Sequence, residues 1–433
     1  MKQIFSLFGM LGLITIAVIF SNNRKLINFR TVFGAFLMQL SIGAFALYLP
    51  SGRILLESFS NLITNIISYG KVGMDFIFGG LVSNKMIEVF GGSGFIFAFR
   101  VLPVIVFFSA LISVLYYLGI MQIFIKIFGG LIHKLLCTSR TESLSATANI
   151  FLGHTESPLV VKPYISTMTR SELFAVMCGG LSSVSGSVLL GYVQMGIPVE
   201  YLITASFMSA PGGLLFAKLL IPEDKKINNQ IYKSEVDDKK KKYINIIDAA
   251  ASGAISGIKL SLNVGATLLA FIALIALAND LLRTIGNLLF IPNLSLEWIL
   301  GCLFSPIAFL IGIPWNEATI AGSFIGQKLV INEFVAYMKF SEFLKSNSEF
   351  IITGKEILSS HSKAIISFSL CGFANFASVA ILIGSLGGIA PNRRQDVAKL
   401  SWKAILAGSL SNLMSANIAG FFLSIQESFY YLK

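Results

Sequence analysis

The chain has 433 residues, 55% of them hydrophobic and 13% charged, with a mean hydropathy of +0.77. Polar surface is too scarce to cover that much apolar side chain in water, which excludes an ordinary soluble enzyme and makes lipid the solvent. The formal charge of +11 falls in short clusters between apolar segments rather than along one aromatic-interleaved face, a pattern of anionic headgroups and not of nucleic acid.

Apolar runs near the roughly 20 residues that cross about 30 Å of hydrocarbon recur from end to end. Full spans are expected at Ile4–Phe20, Thr31–Leu49, Phe95–Leu118, Glu172–Val193, Tyr201–Ile221, Ile258–Ala278, Leu296–Ile313 (continuing beyond Glu317) and Val397–Ile425, about eight crossings by length. Met1–Phe20 lacks a small-x-small cleavage site and is followed by Asn23-Arg24-Lys25, so it is read as a retained span rather than a signal peptide. An even count, with Arg24, Lys25 and Arg30 in the first loop, places both termini outside the cytoplasm.

Gly52–Leu81 and Gly119–Leu136 are apolar but interrupted by charges at helical intervals, and suit interfacial helices. Glu223–Lys242, with its Lys239–Lys242 run, is an exposed polar loop between two halves. Cys137, Cys178, Cys302 and Cys371 form no CxxC pair and read as small core residues, not as a zinc or disulfide framework. His133 and His361 lie near segment ends and read as interfacial.

Two further segments, Thr141–Thr169 and Ser359–Asn392, are too polar to face lipid and too apolar to be ordinary loops. Each has small residues, Asn and Gly near its middle, and each leads into a basic patch and a new helix, at Arg170-Ser171-Glu172 and at Arg393-Arg394-Gln395-Asp396. Broken or re-entrant helices at corresponding places in two halves mark the binding site of a secondary transporter. Helix ends inside a membrane are tolerable only where they line a wet cavity or hold a substrate or ion.

Three motifs carry candidate chemistry. Asn149-Ile150-Phe151-Leu152-Gly153-His154-Thr155-Glu156-Ser157-Pro158 places an amide, an imidazole, a hydroxyl and a carboxylate around Gly and Pro. A Glu at bilayer depth costs on the order of a few kcal/mol, so it is a functional or a paired residue. Cys371-Gly372-Phe373-Ala374-Asn375-Phe376-Ala377-Ser378 sets Asn375 and Ser378 three apart, on one helix face, where they bind a solute or glue helices together. In Val330-Ile331-Asn332-Glu333-Phe334-Val335-Ala336-Tyr337, Glu333 is a second intramembrane carboxylate, able to accept hydrogen bonds from a vicinal diol such as that of a ribose. Glu317 reads instead as a structural partner for a helix end.

Together, in this order and spacing, the three motifs resemble the concentrative nucleoside transporter family over nearly the whole chain. The resemblance implies an all-α polytopic membrane protein with eight crossings, two opposed re-entrant hairpins in inverted repeats, and interfacial helices, assembled as a homotrimer. It implies N-terminal scaffold spans in 1–140, a first hairpin (Thr141–Thr169) with following transport helices in 141–222, a charged loop at 223–245, an interfacial helix and scaffold span in 246–290, and a second half in 291–433 with a second hairpin at 359–392.

By the same resemblance, Gly153, His154, Thr155 and Glu156 face the nucleobase with Val188 beside it, Glu333, Asn375 and Ser378 bind the ribose, and Phe373 encloses the ligand. The family's sodium positions fall on Asn149, Leu152, Ser183 and Val184, with Leu152 and Val184 serving through backbone carbonyls. The family usually has Gln where this chain has His154, a departure that bears on base preference and pH response. The implied activity is nucleoside import by symport with sodium, or with protons in some relatives, without any other cofactor. The implied location is the plasma membrane, and a short N-terminus fits a bacterial inner-membrane protein. The competing classes are an intramembrane enzyme using Glu156, His154 and Glu333, disfavoured by the lack of HExxH, GxSxG and CxxC, and a passive channel.

Overall fold

The computed structural model describes residues 2–83, 85–90, 95–224, 243–291, 294–344 and 358–430. Among them every regular element is helical. Most of the expected Glu223–Lys242 loop, including Lys239–Lys242, lies outside the described residues.

The first third contains α1 (Lys2–Ile19), α2 (Phe29–Gly43, continued by a π-turn through Tyr48), α3 (Pro50–Phe78), the short α4 (Lys85–Phe90) and α5 (Phe97–Arg100), and α6 (Leu102–Tyr117). α3 buries only Gly52, Ser60, Ile67, Gly70 and Met74, a narrow stripe on a largely exposed helix. In α7 (Ile120–Leu136) the buried set Met121, Ile125, Gly129, Ile132 and Leu136 recurs every three or four residues, as an amphipathic helix requires.

Next come α8 (Arg140–Ala148), a non-helical tip, the single turns α9 (Ser157–Val160) and α10 (Lys162–Ile165), then α11 (Arg170–Ser182), α12 (Gly186–Gln194) and α13 (Val199–Leu220). Both α8 and α11 start with a complete capping box, Ser139 with Glu142 and Thr169 with Glu172, which satisfies N–H groups that would otherwise be orphaned at a buried helix end. The second half runs α14 (Ile246–Leu288), α15 (Leu296–Leu310), α16 (Trp315–Val330), α17 (Glu333–Leu344), α18 (Ser360–Leu370), α19 (Phe376–Ile389) and α20 (Arg394–Tyr430).

The packing repeats between the halves. α7 lies on α8 as α15 lies on α16, α8 on α11 as α16 on α18, and α11 on α13 as α18 on α20. The core is the α11, α13 and α20 group: 94% of the apolar window of 170–194 and of 199–220 is buried, against 17% for α14, which therefore lies at the rim against α6.

Six helices among the described residues are long and apolar enough to cross a membrane, and a bent pair makes seven. These correspond to seven of the expected spans, and the eighth is the 17-residue apolar stretch Gln3–Ile19 in α1.

Four expectations are corrected in detail. Glu172–Val193 is not one continuous helix: it breaks at Ser183-Val184-Ser185, where Ser183 is extended (φ −112°, ψ 173°) and Ser185 Oγ caps α12 by accepting from Val188 N at 3.4 Å. Leu296–Ile313 does not run on beyond Glu317, because α15 and α16 meet at 115° around Gly312, whose φ of +98° suits a residue without Cβ. Ile258–Ala278 is the middle of a 43-residue helix, about 64 Å at roughly 1.5 Å per residue, continuous with the segment expected as a separate interfacial helix; its N-cap, Asn245, comes only at the start.

The fourth correction concerns the second hairpin. Residues 359–392 form α18 and α19, which do not pack side by side, whereas α16 and α17 pack back on each other across a break at Ile331-Asn332. In element order, 315–344 is the counterpart of Thr141–Thr169, and 360–389 is the counterpart of the broken helix 170–194. Polarity alone does not distinguish a hairpin tip from the break of a spanning helix, since both expose backbone groups that need polar partners. The break of α18 and α19, Cys371-Gly372-Phe373-Ala374-Asn375, resembles a hairpin tip in its small and polar residues, while the tip between α16 and α17 is only two residues long.

Candidate functional site

The two broken helices meet at their breaks. Phe373 N–H donates to Ser183 O at 3.1 Å, and Gly186 N–H donates to Phe151 O at 2.9 Å, which joins the tip of the first hairpin to the same junction. Asn375 is not on a helix face with Ser378, as expected, but is the N-cap of α19: its Oδ1 accepts from Ser378 N–H at 2.7 Å. Its amide is thereby held with Nδ2 turned toward α17.

Glu333 opens α17 and is buried at 3% exposure. Its Oε1 accepts from Tyr192 OH at 3.1 Å and its Oε2 accepts from Asn375 Nδ2 at 2.8 Å. The first turn of a helix also favours a negative group. A carboxylate has about four acceptor positions, so these two bonds orient it and leave capacity for ligand hydroxyls. Tyr192 is packed between Tyr337 (ring centroids 4.4 Å) and Phe334 (4.9 Å), and Tyr337 OH donates to Ser367 O at 2.7 Å.

On the other side of the junction, the His154 ring lies edge-on to Phe373 at 4.8 Å between centroids. His154 is 8% exposed, and neither ring nitrogen has a protein partner among the described residues. A buried imidazole with both nitrogens unpaired is costly unless a ligand or water completes it. Val188, in the first turn of α12, is buried; Thr155 is half-buried and Glu156 exposed at the start of α9. Gly153 lies beside Ser185.

Asn149 Nδ2 donates to Ser145 O at 2.8 Å, which leaves its buried Oδ1 without a partner among the described residues. Ser183 Oγ donates to Gly179 O at 3.0 Å, so its lone pairs stay available. Leu152 and Val184 are buried and non-helical, and their carbonyls accept no hydrogen bond among the described residues. The donor set is thus all oxygen, the type that suits a hard cation.

Contacts among the predicted residues therefore join Glu333, Asn375 and Ser378, join Phe373 to His154, and join Phe373 to Ser183. Four residues were not predicted. Tyr192 and Tyr337 position Glu333. Asn412, on α20, donates from Nδ2 to Ser182 O at 2.6 Å and to Cys371 O at 2.9 Å, and so ties both breaks. Its Oδ1 accepts from Lys328 Nζ at 2.6 Å, and Lys328 also donates to Ser369 O at 2.8 Å. An ionisable residue inside an apolar helix was the available signal for Lys328.

Glu317, as expected, is a structural partner: its Oε2 accepts from Ser359 N and Ser359 Oγ, both at 3.1 Å, at the start of α18. His361, expected at the interface, is buried in the first turn of α18, and of the cysteines Cys178 and Cys371 are buried while Cys137 and Cys302 are exposed.

Three family profiles match the chain: "Na+ dependent nucleoside transporter N-terminus" over residues 8–81, "Nucleoside recognition" over 98–199, and "Na+ dependent nucleoside transporter C-terminus" over 201–420. An uncharacterized transporter of Haemophilus influenzae is 52% identical over 98% of this chain and 99% of its own length. The nucleoside permease NupC of Helicobacter pylori is 51% identical over 98% and 99%. The solved structure of CNTnw in an inward-facing substrate-bound state superposes with a TM-score of 0.93 at 58% identity, covering 98% of this chain and 99% of that one. A doubly substituted CNTnw in an outward-facing state superposes with a TM-score of 0.94 at 58% identity over the same shares. The chain belongs to the concentrative nucleoside transporter family, a class of integral membrane transporters and not of enzymes.

Proposed function

We propose that this chain imports nucleosides across a plasma membrane by symport with sodium, through alternating access of its hairpin-bearing helices. The observation that carries the reading is the Glu333 carboxylate, buried and oriented by Tyr192 and Asn375 with acceptor capacity to spare. The ribose hydroxyls bind Glu333, Asn375 and Ser378, Phe373 closes over the ligand, and Gly153, His154, Thr155, Glu156 and Val188 surround the base. The unpaired nitrogens of His154 supply hydrogen bonds to the base edge.

Sodium is held by Asn149 Oδ1, Ser183 Oγ and the carbonyls of Leu152 and Val184. The Ser183–Phe373 backbone bond makes the ion position and the ligand-enclosing residue neighbours, so occupancy of one shapes the other. Moving one charge through about 100 mV supplies about 2.3 kcal/mol, enough for roughly fiftyfold accumulation before any chemical gradient is added. The exposed apolar faces of α3 and α14 serve contact with lipid and with the other subunits of a homotrimer.

The reading is tested by calorimetric titration of purified protein with uridine and with 2′,3′-dideoxyuridine, in sodium and in choline. It expects uridine to bind in sodium at least about tenfold more tightly than the dideoxy analogue, given about 1.5–3 kcal/mol per hydrogen bond to a charged group. Equal binding of the two ligands overturns the ribose clamp, and equal binding of uridine in sodium and choline overturns the ion.

A further inference from the structure

The repeat places a second helix-end junction opposite the one assigned to sodium. In the first half, the end of α8 packs against α11 just before its break, and there Asn149, Leu152, Ser183 and Val184 leave oxygens without protein donors. In the second half, the end of α16 packs in the same way against α18 just before its break. The oxygens there are not left open: they are met by an ammonium.

Lys328 stands in the last turn of α16 at 4% exposure. Its Nζ donates to Ser369 O (2.8 Å), in the last turn of α18, and to Asn412 Oδ1 (2.6 Å). Among the described residues it forms no salt bridge; Glu333 stands across the break at Ile331-Asn332. A helix C-terminus inside a membrane presents carbonyl oxygens that favour a cation, and a lysine ammonium held by a carbonyl and an amide oxygen supplies one from within the chain. Asn412 then donates to Cys371 O and Ser182 O, so this fixed cation is one hydrogen-bonded residue away from both breaks.

We propose that Lys328 is a tethered cation filling the second half's counterpart of the coupling-ion position, and that it limits the transporter to one free cation per cycle. The proposal rests on the sodium-symport reading above. Removing the ammonium leaves Ser369 O, Asn412 Oδ1 and the carbonyl end of α18 as an oxygen-lined space that a free sodium ion enters.

The test is uptake by proteoliposomes containing wild type or Lys328→Ala, with sodium titrated and the charge moved per nucleoside measured in parallel. Wild type is expected to respond hyperbolically to sodium with about one charge per nucleoside, and Lys328→Ala sigmoidally, with a Hill coefficient and a charge ratio each approaching about two. A variant that transports with the wild-type sodium response and charge ratio overturns the proposal. For a variant that does not transport, thermal unfolding in detergent across a sodium titration gives the answer: the proposal requires Tm to rise about twice as steeply with log sodium as in wild type, and a wild-type slope overturns it. The wild-type arm reports on the symport reading by itself. A wild type indifferent to sodium beside a variant that gains a sodium response removes sodium as the coupling ion and retains Lys328 as a tethered cation.

Discussion

Phe373 and Ser183 are joined by a backbone hydrogen bond of 3.1 Å, although one belongs to the break of α18 and α19 and the other to the break of α11 and α12. Breaks in two halves of the chain thus form one junction, with the candidate ion oxygens on one side and Glu333 on the other. Coupling between ion and solute needs no long pathway in such an arrangement.

Glu333 is oriented from two sides, and the two donors are separable. Tyr192→Phe removes the bond to Oε1 while keeping the ring between Tyr337 and Phe334, and is expected to weaken nucleoside binding about tenfold with little change in Tm. Titration calorimetry and differential scanning fluorimetry on the same preparation check both halves of that statement.

A Cβ on Gly372 would lie 2.6 Å from Asn412 Nδ2, and closer still to Oδ1. Asn412 would have to leave Ser182 O and Cys371 O, so Gly372→Ala is expected to cost about 1–3 kcal/mol in stability and to lower both sodium and nucleoside affinity. A variant with unchanged Tm and unchanged binding would show that the Asn412 tie is dispensable.

At the start of the first hairpin, Lys218 is paired with Glu142 and donates to Ser171 Oγ at 2.8 Å, with Glu142 fully buried. Lys218→Met strands that carboxylate and is expected to destabilise the protein by about 3–5 kcal/mol, whereas Lys218→Met with Glu142→Gln recovers most of the loss. The glutamine retains an acceptor for Ser139 N–H in the capping box. Thermal unfolding of the two variants side by side tests the claim, which fails if the double substitution is no more stable than the single.

His154 offers two nitrogens in a fixed plane, and a glutamine would offer an amide in a different one. His154→Gln is expected to change the ratio of uridine to adenosine affinity by roughly two- to tenfold, the worth of about one hydrogen bond. Competition binding of the two nucleosides reads the ratio directly; an unchanged ratio means the imidazole only substitutes for the amide.

The class of the molecule was legible in the sequence, and residues of its candidate site stood out there, because apolar length and intramembrane polar residues are local signals. Asn149, Glu333 and Asn375 each stand out within ten residues of their own context. Tyr192 did not, because nothing near it in the chain shows that it meets Glu333, 141 positions away. The Asn412 tie was hidden for the same reason, reaching Ser182 across 230 positions. The break at Ser183-Val184-Ser185 was masked by the apolar residues around it, which keep the hydropathy of 170–194 at that of an intact span. Its serines, able to cap either helix end, were the clue.

The most direct test of the account is uptake of labelled uridine and adenosine into proteoliposomes, with sodium and proton gradients imposed separately, for wild type and Glu333→Ala. The account predicts accumulation driven by the sodium gradient and abolished by the substitution. Accumulation driven only by protons would contradict the assignment of Asn149 and Ser183 to sodium, and accumulation that survives Glu333→Ala would contradict the carboxylate clamp at the centre of the site.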